Sequence, residues 1–149
     1  NDPVQRKIAQ RLQYMWKKNL GIEATLYNQE LKGHVTKLQS RDYDLGRSSW
    51  FADYNDANTF LELWRKSNPN NEAGWVNSQY ESLLDSADSE IDPTKRREFL
   101  QKAEGILMTE LPVIPMMYKA RAYLKRDSVI GWEPNFLGWH RLKYVRLTN

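Results

Sequence analysis

Cysteine is absent from this 149-residue chain, and histidine occurs only twice. Without thiolates, the chain has neither a disulfide nor a thiolate metal site. No apolar run approaches the ~20 residues that a membrane-spanning helix requires. The sequence begins at Asn1 and contains no signal-peptide pattern, so we expect a processed chain or a fragment of a longer one.

Recognisable catalytic motifs are also missing, since the HExxH, GxSxG, GxGxxG and P-loop patterns do not occur. His34 lies on a predicted helix with neither an acidic residue nor a histidine at i+4, and we interpret it as a surface residue. We interpret His140, in a turn, as structural. Asp53 with Asp56 or Glu62 remains a candidate acid–base pair, although spacing is its only support.

The charge is nearly balanced, with 22 basic and 19 acidic residues and a net charge of +3. The longest basic run, Lys95-Arg96-Arg97, has Glu98 and Glu104 close by, so we interpret it as a solvated helix face. A nucleic-acid partner is therefore not expected. Eight Tyr and six Trp are the unusual feature of the composition, and such rings either fill a core or line a groove.

The spacing of apolar residues predicts one α/β domain over residues 1–149, with helices packed on a mainly parallel sheet. Helices are predicted for residues 3–20, 28–38, 59–64, 78–87 and 93–111. Strands are predicted for residues 22–27, 42–49, 113–118, 121–124 and 144–147. The expected helix caps are Asp2, Asn28, Ser78 and Asp92.

The segment from Arg47 to Asp56 follows a predicted strand, and open α/β sheets bind ligands beyond the carboxyl ends of their strands. Trp50 and Phe51 could form an apolar wall beside the negative charge of Asp53, a combination that suits a ligand ammonium group. The residues alone leave open the alternative that both rings are core and that Asp53 begins a turn.

Five stretches of the chain are similar, in the same order, to the peptide-binding receptors of ABC importers, solute-binding protein family 5. They are Met15–Ile22, Asn28–Lys32, Trp50–Tyr54 with Asn58–Leu61, Asn70–Asn77, and Ala103-Glu104 with Leu111–Pro115. The resemblance covers almost the whole chain. It implies a periplasmic-binding-protein-like α/β lobe, the C-terminal lobe of a two-lobed receptor that closes over its ligand by hinge motion.

The same resemblance implies roles for four residues. Asp53 would pair with the α-ammonium of a bound peptide, and Trp50 would form a wall for a ligand side chain. Arg47 would receive the carboxylate of a short peptide, which suits a bidentate guanidinium. Tyr54 belongs to the same ligand-binding stretch. No catalytic residue, metal or cofactor is implied.

The implied partners are an oligopeptide, an N-terminal lobe and the membrane permease of an ABC importer. The implied location is periplasmic or extracellular, with lipid anchoring left open. A nickel chelate, a sugar or an opine remains an alternative cargo, and a nucleic-acid-binding module or a hydrolase using Asp53 and Glu62 is an alternative class. Because an upstream strand would be missing, we also expect an exposed sheet edge and a homodimer formed through it.

Overall fold

A computed structural model describes residues 3–120, 122–135 and 137–148 of the chain. The chain groups into two compact units, Asn1–Leu45 and Gly46–Asn149. Two residues with predicted roles, Asp2 as a helix cap and Arg121 as the start of a strand, lie outside the described residues.

The first unit contains two helices, α1 (Pro3–Leu20) and α2 (Leu31–Ser40). Proline suits the first helical turn because its φ is already fixed near the helical value. Gly21 ends α1 with a φ of 68°, which glycine adopts without steric cost. Helix α2 begins later than predicted, with Glu30 rather than Asn28 at the N-cap position.

The second unit is built on helices α3 (Asn58–Leu61), α4 (Ser78–Ser89) and α5 (Pro93–Glu110). A 3₁₀ turn (Glu62–Trp64) extends α3, and a second 3₁₀ turn (Leu142–Tyr144) lies near the end of the chain. Helices α4 and α5 pack against each other. Their apolar stripes form the core, which consists of Leu61, Tyr80, Leu84, Ala87, Leu100, Ala103 and Leu107. The predicted inward faces of both helices are confirmed.

The N-cap of α4 differs from the prediction. Helix α4 begins at Ser78, so Asn77 is the cap residue, and its side chain accepts a hydrogen bond from the Tyr80 amide at 2.9 Å. Glu81 is therefore one position too far along to close a capping box. Its carboxylate instead accepts a bond from the backbone amide of Lys66 at 2.6 Å. Asp92 caps α5 as predicted.

Most strand predictions are wrong. Residues 22–27, 42–49, 113–118 and 122–124 are not in strands, and of 144–147 only Arg146–Leu147 is one. In the described part of the chain, the strand pairing is β1 (Val129–Ile130) with β2 (Arg146–Leu147), and it is antiparallel, not the expected parallel order. A strand forms only where a neighbouring strand accepts its hydrogen bonds. Alternating apolar residues cannot reveal whether that neighbour is present.

Gly131 follows β1 and has no room for a side chain. Its φ is 80°, and an added Cβ would lie 2.0 Å from the Tyr144 carbonyl oxygen. We expect Gly131→Ala to lower the free energy of unfolding by about 2–4 kcal/mol, from the left-handed backbone and the clash. Hydrogen exchange of the Thr148 amide, which bonds the Ser128 carbonyl at 2.8 Å, should become faster.

Gly105→Ala is the matched control. Gly105 lies inside α5. Apart from its chain neighbours and the backbone of its own helix, no described atom lies within 4 Å of a Cβ added there. Alanine there should stabilise the helix by roughly 0.5–1 kcal/mol. Unchanged Thr148 exchange in Gly131→Ala would contradict the close approach of Gly131 to Tyr144.

Candidate ligand-binding site

The four candidate residues lie on one segment that leads into α3 without regular secondary structure. Arg47 and Asp53 are exposed, and Trp50 and Tyr54 are each 39% exposed. Phe51 is 53% exposed, so the alternative in which Trp50 and Phe51 are core residues is wrong for this chain. The Lys119 ammonium lies 5.9 Å from the centre of the Phe51 ring.

Asp53 is held through its backbone and not through its side chain. Its amide donates to the Thr59 hydroxyl at 3.0 Å, and Thr59 is completely buried in the first turn of α3. Among the residues that the structure describes, no cation lies within ion-pairing distance of the Asp53 carboxylate. The carboxylate is thus presented to solvent from a fixed backbone.

Tyr54 is fixed by its hydroxyl, which donates to the Glu62 carboxylate at 2.7 Å. Partial burial of the phenol, together with the hydrogen bond and the negative charge of Glu62, raises the pKa of Tyr54 to about 12. The ring therefore has a defined orientation and remains a neutral hydrogen-bond donor at physiological pH.

This pairing has a spectroscopic consequence. Because the folded-state pKa of Tyr54 lies above the unfolded value, its contribution to stability is complete below pH ~10 and disappears as the pH rises towards 12. In an ultraviolet titration of the phenolates, Tyr54→Phe should remove a late-titrating tyrosine. Glu62→Gln should shift that tyrosine to lower pH, and the same curve in both variants and the wild type would contradict the contact.

Asp56 lies in the turn before α3 and is bound by an arginine 40 positions away in sequence. Arg96 donates two hydrogen bonds to its carboxylate, at 2.6 and 3.1 Å, and the Asn58 amide donates a third at 2.8 Å. Burial opposes ionisation of Asp56, but the bonds from Arg96 and Asn58 outweigh it and lower the pKa of the carboxyl. The interpretation of Lys95-Arg96-Arg97 as solvated is therefore wrong for Arg96.

These contacts bear on the acid–base pair proposed from the sequence. Asp56 is held by Arg96 and Glu62 by Tyr54, so both carboxylates have structural partners, while Asp53 has none among the described residues. Within the same residues, no group of three or more His, Cys, Asp or Glu could hold a metal ion. The site can thus present one uncompensated carboxylate beside aromatic rings.

The two histidines differ in their surroundings. His34 is half-buried on α2, and so is less exposed than the surface position that was predicted. His140 stacks on Trp132 with ring centres 3.9 Å apart, and Tyr123 contacts both rings edge-on. A structural role for His140 in this aromatic cluster agrees with its interpretation from the sequence.

Sequence reasoning missed a charge network beside α3. Arg65 forms ion pairs with three carboxylates on one face of α4, those of Glu81, Asp85 and Asp88. Burial opposes the charge of Arg65, but these partners outweigh it and raise the pKa of the guanidinium. The spacing of the acids, four and three residues apart, is the signal that they share a helix face. The network attaches the chain after α3 to α4.

Residues 1–72 match the family described as bacterial extracellular solute-binding proteins, family 5 middle. The chain is 44% identical over 131 residues to the oligopeptide-binding protein OppA of Bacillus subtilis, covering 87% of the chain and 24% of that protein. It is 36% identical over 129 residues to the probable deoxycholate-binding periplasmic protein YgiS of Escherichia coli, covering 87% of the chain and 24% of that protein. Across the described residues, no helix has the length and apolar character to cross a membrane.

The fold is similar to that of OppA from Haemophilus influenzae in complex with RPPGFSPFR, with a TM-score of 0.88 and 27% identity. That match covers 99% of the chain and 29% of the solved structure, and it confirms the α/β fold class. The chain spans about a quarter of the length of the curated relatives that it matches. It belongs to the bacterial extracellular solute-binding proteins of family 5.

Proposed function

We propose that this chain supplies one lobe of the receptor of an ABC importer and that the receptor binds oligopeptides, with Asp53 pairing with the peptide α-ammonium. The observation that carries the proposal is the Asp53 carboxylate, which has no counter-ion among the described residues. Trp50 and Tyr54 leave part of their rings exposed on the same short segment.

A peptide enclosed between two lobes loses water from its ammonium group, and a buried charge is tolerated only with a hydrogen-bonded partner of opposite sign. Asp53 can serve as that partner without first breaking an ion pair to a described residue. Its backbone is already fixed by Thr59, so little conformational entropy would be lost when the ligand binds.

The neighbouring residues complete the proposed pocket. Trp50 would form a wall for a ligand side chain, and Tyr54, oriented by Glu62, would offer a second ring. Arg47, exposed on the same segment, would receive the carboxylate of a short peptide. The names of the B. subtilis and H. influenzae relatives, one oligopeptide-binding and the other solved with a peptide, support a peptide cargo.

The remaining parts of the proposal concern the whole protein. Residues 1–149 would form a single domain, the C-terminal lobe, and an N-terminal lobe would close over the ligand. The receptor would work outside the cytoplasm with a membrane permease, either anchored by lipid or free, and would catalyse no reaction. Relatives whose names place them in the periplasm support the location.

A second cargo has support from one relative, since E. coli YgiS is named as a probable deoxycholate-binding protein. Deoxycholate is an anionic steroid without an ammonium group, so the Asp53 carboxylate would repel it. Calorimetry of a full-length receptor that carries this chain should give micromolar binding of a short peptide mixture and none of deoxycholate. Binding of deoxycholate alone would refute the peptide proposal.

The chain by itself is proposed to form a homodimer. Each strand of the two-stranded sheet pairs on one side only within the described residues, and unpaired edges favour pairing with another chain. Several apolar side chains elsewhere in this unit are more than half exposed, namely Met116, Met117 and Tyr118. Light scattering of the 149-residue chain should give twice the monomer mass, whereas monomer alone at high concentration would contradict the dimer.

A further inference from the structure

The bond between Arg96 and Asp56 connects a helix of the core with the irregular segment before α3. Arg96 lies on α5, whose buried residues Leu100, Ala103 and Leu107 anchor that helix in the core. Asp56 lies on the irregular segment that also carries Asp53. The guanidinium contacts both carboxylate oxygens of Asp56, at 2.6 and 3.1 Å, a two-point contact that fixes orientation as well as distance.

Asp56 in turn organises the backbone on which Asp53 lies. Its amide bonds the Tyr54 carbonyl at 3.0 Å, and its carbonyl accepts from the Thr59 amide at 3.3 Å. Its carboxylate also accepts from the Asn58 amide at 2.8 Å. The Thr59 hydroxyl then accepts a hydrogen bond from the Asp53 amide at 3.0 Å. A displacement of Asp56 would therefore move both the hydroxyl that holds Asp53 and the carbonyl of the residue after it.

Arg96 lies near the N-terminus of α5, the end of a helix that is unfavourable for a cation. Arg96 lies in the first turn, which contains no acidic residue, and the positive end of the helix dipole disfavours a cation there. Lys95 and Arg97 place two more cations beside it. The ion pair with Asp56 offsets this cost for Arg96, so the tertiary contact explains why an arginine is tolerated at this position.

We infer that Arg96 is a positioning residue for the ligand site: by holding Asp56, it fixes where the Asp53 carboxylate meets a ligand ammonium group. The inference rests on the proposed role of Asp53 in peptide binding. A binding group must be held within about half an ångström of its productive position. Loss of the contact between Arg96 and Asp56 would therefore weaken recognition of the ammonium group specifically, and not binding in general.

The test compares two peptides of the same sequence, one with a free α-ammonium and one N-acetylated, on a full-length receptor that carries this chain. The quantity measured is the ratio of their Kd values. Arg96→Gln should reduce the preference for the free peptide about tenfold, the lower end of the loss when an outer partner of a metal ligand is removed. Arg96→Lys should restore part of it, because lysine keeps the charge but loses the two-point contact.

Arg97→Gln is the matched control, because Arg97 is exposed and has no ion pair with any residue in the described ranges. This variant should leave the ratio unchanged.

The inference is overturned if Arg96→Gln leaves the ratio at the wild-type value, or if it weakens the binding of both peptides equally while lowering the Tm. A wild type that does not discriminate between the two peptides refutes the role of Asp53 as well. If Asp53→Asn no longer discriminates between the two peptides but Arg96→Gln still does, the positioning role of Arg96 is refuted and the role of Asp53 stands.

Discussion

Asp53→Asn is expected to abolish the preference of the full-length receptor for peptides with a free α-ammonium. Asparagine has nearly the shape of aspartate but no charge, so the enclosed ammonium group would lose its counter-ion. Removing one partner of a buried ion pair costs about 3–5 kcal/mol. Calorimetry should therefore show a Kd for the free peptide raised by more than about a hundredfold.

Two controls separate this effect from a general loss of binding. The N-acetylated peptide has no charge to lose, so its weaker affinity should change little between wild type and Asp53→Asn. Asp127→Asn changes an exposed carboxylate that has no ion pair with the described residues, and it should bind both peptides as the wild type does. Equal losses for the two peptides in Asp53→Asn would argue that the substitution disturbs the fold and not the ammonium contact.

Leu84→Ala is expected to have the largest effect on stability. Leu84 has no exposed surface and lies in the core between α4 and α5. Deleting a buried leucine side chain costs about 2–5 kcal/mol, because apolar burial is lost and the surroundings relax only partly into the cavity. Urea unfolding of the chain, followed by circular dichroism, should show a lower midpoint with an unchanged m value.

Leu124→Ala is the matched control for the core variant. The side chain of Leu124 is fully exposed in this chain, so its removal should change the free energy of unfolding by no more than about 0.5 kcal/mol. A similar loss of stability in both variants would mean that the core is not centred on Leu84. It would also mean that the packing of α4 on α5 is not the main source of stability.

The helices could be predicted because their signals are local. The residues that stop α1 and start α5, Gly21 and Pro93 with its cap Asp92, lie next to the turns they define. The spacing of Leu100, Ala103 and Leu107 identifies the buried face of α5. Even the error at α4, where Asn77 and not Ser78 is the cap, displaces the prediction by a single residue.

The strands could not be predicted for the opposite reason. Residues 22–27 and 113–118 alternate or cluster apolar side chains as strands do, yet they pair with no described strand. Pairing depends on a neighbour that the local sequence does not encode. Val129–Ile130 and Arg146–Leu147 pair although they are far apart in sequence, and beside them Gly131 lies so close to the Tyr144 carbonyl that a side chain is excluded.

The candidate site, too, could be predicted from the sequence only in part. The sequence by itself determined the segment and its chemistry, a carboxylate at Asp53 between the aromatic residues Trp50 and Tyr54, because these residues are neighbours in the chain. Only the tertiary structure decided which carboxylates are engaged. Asp56 is held by Arg96, 40 positions away. The physical reason is that an ion pair depends on distance in space, and no periodicity along the chain connects residues so far apart.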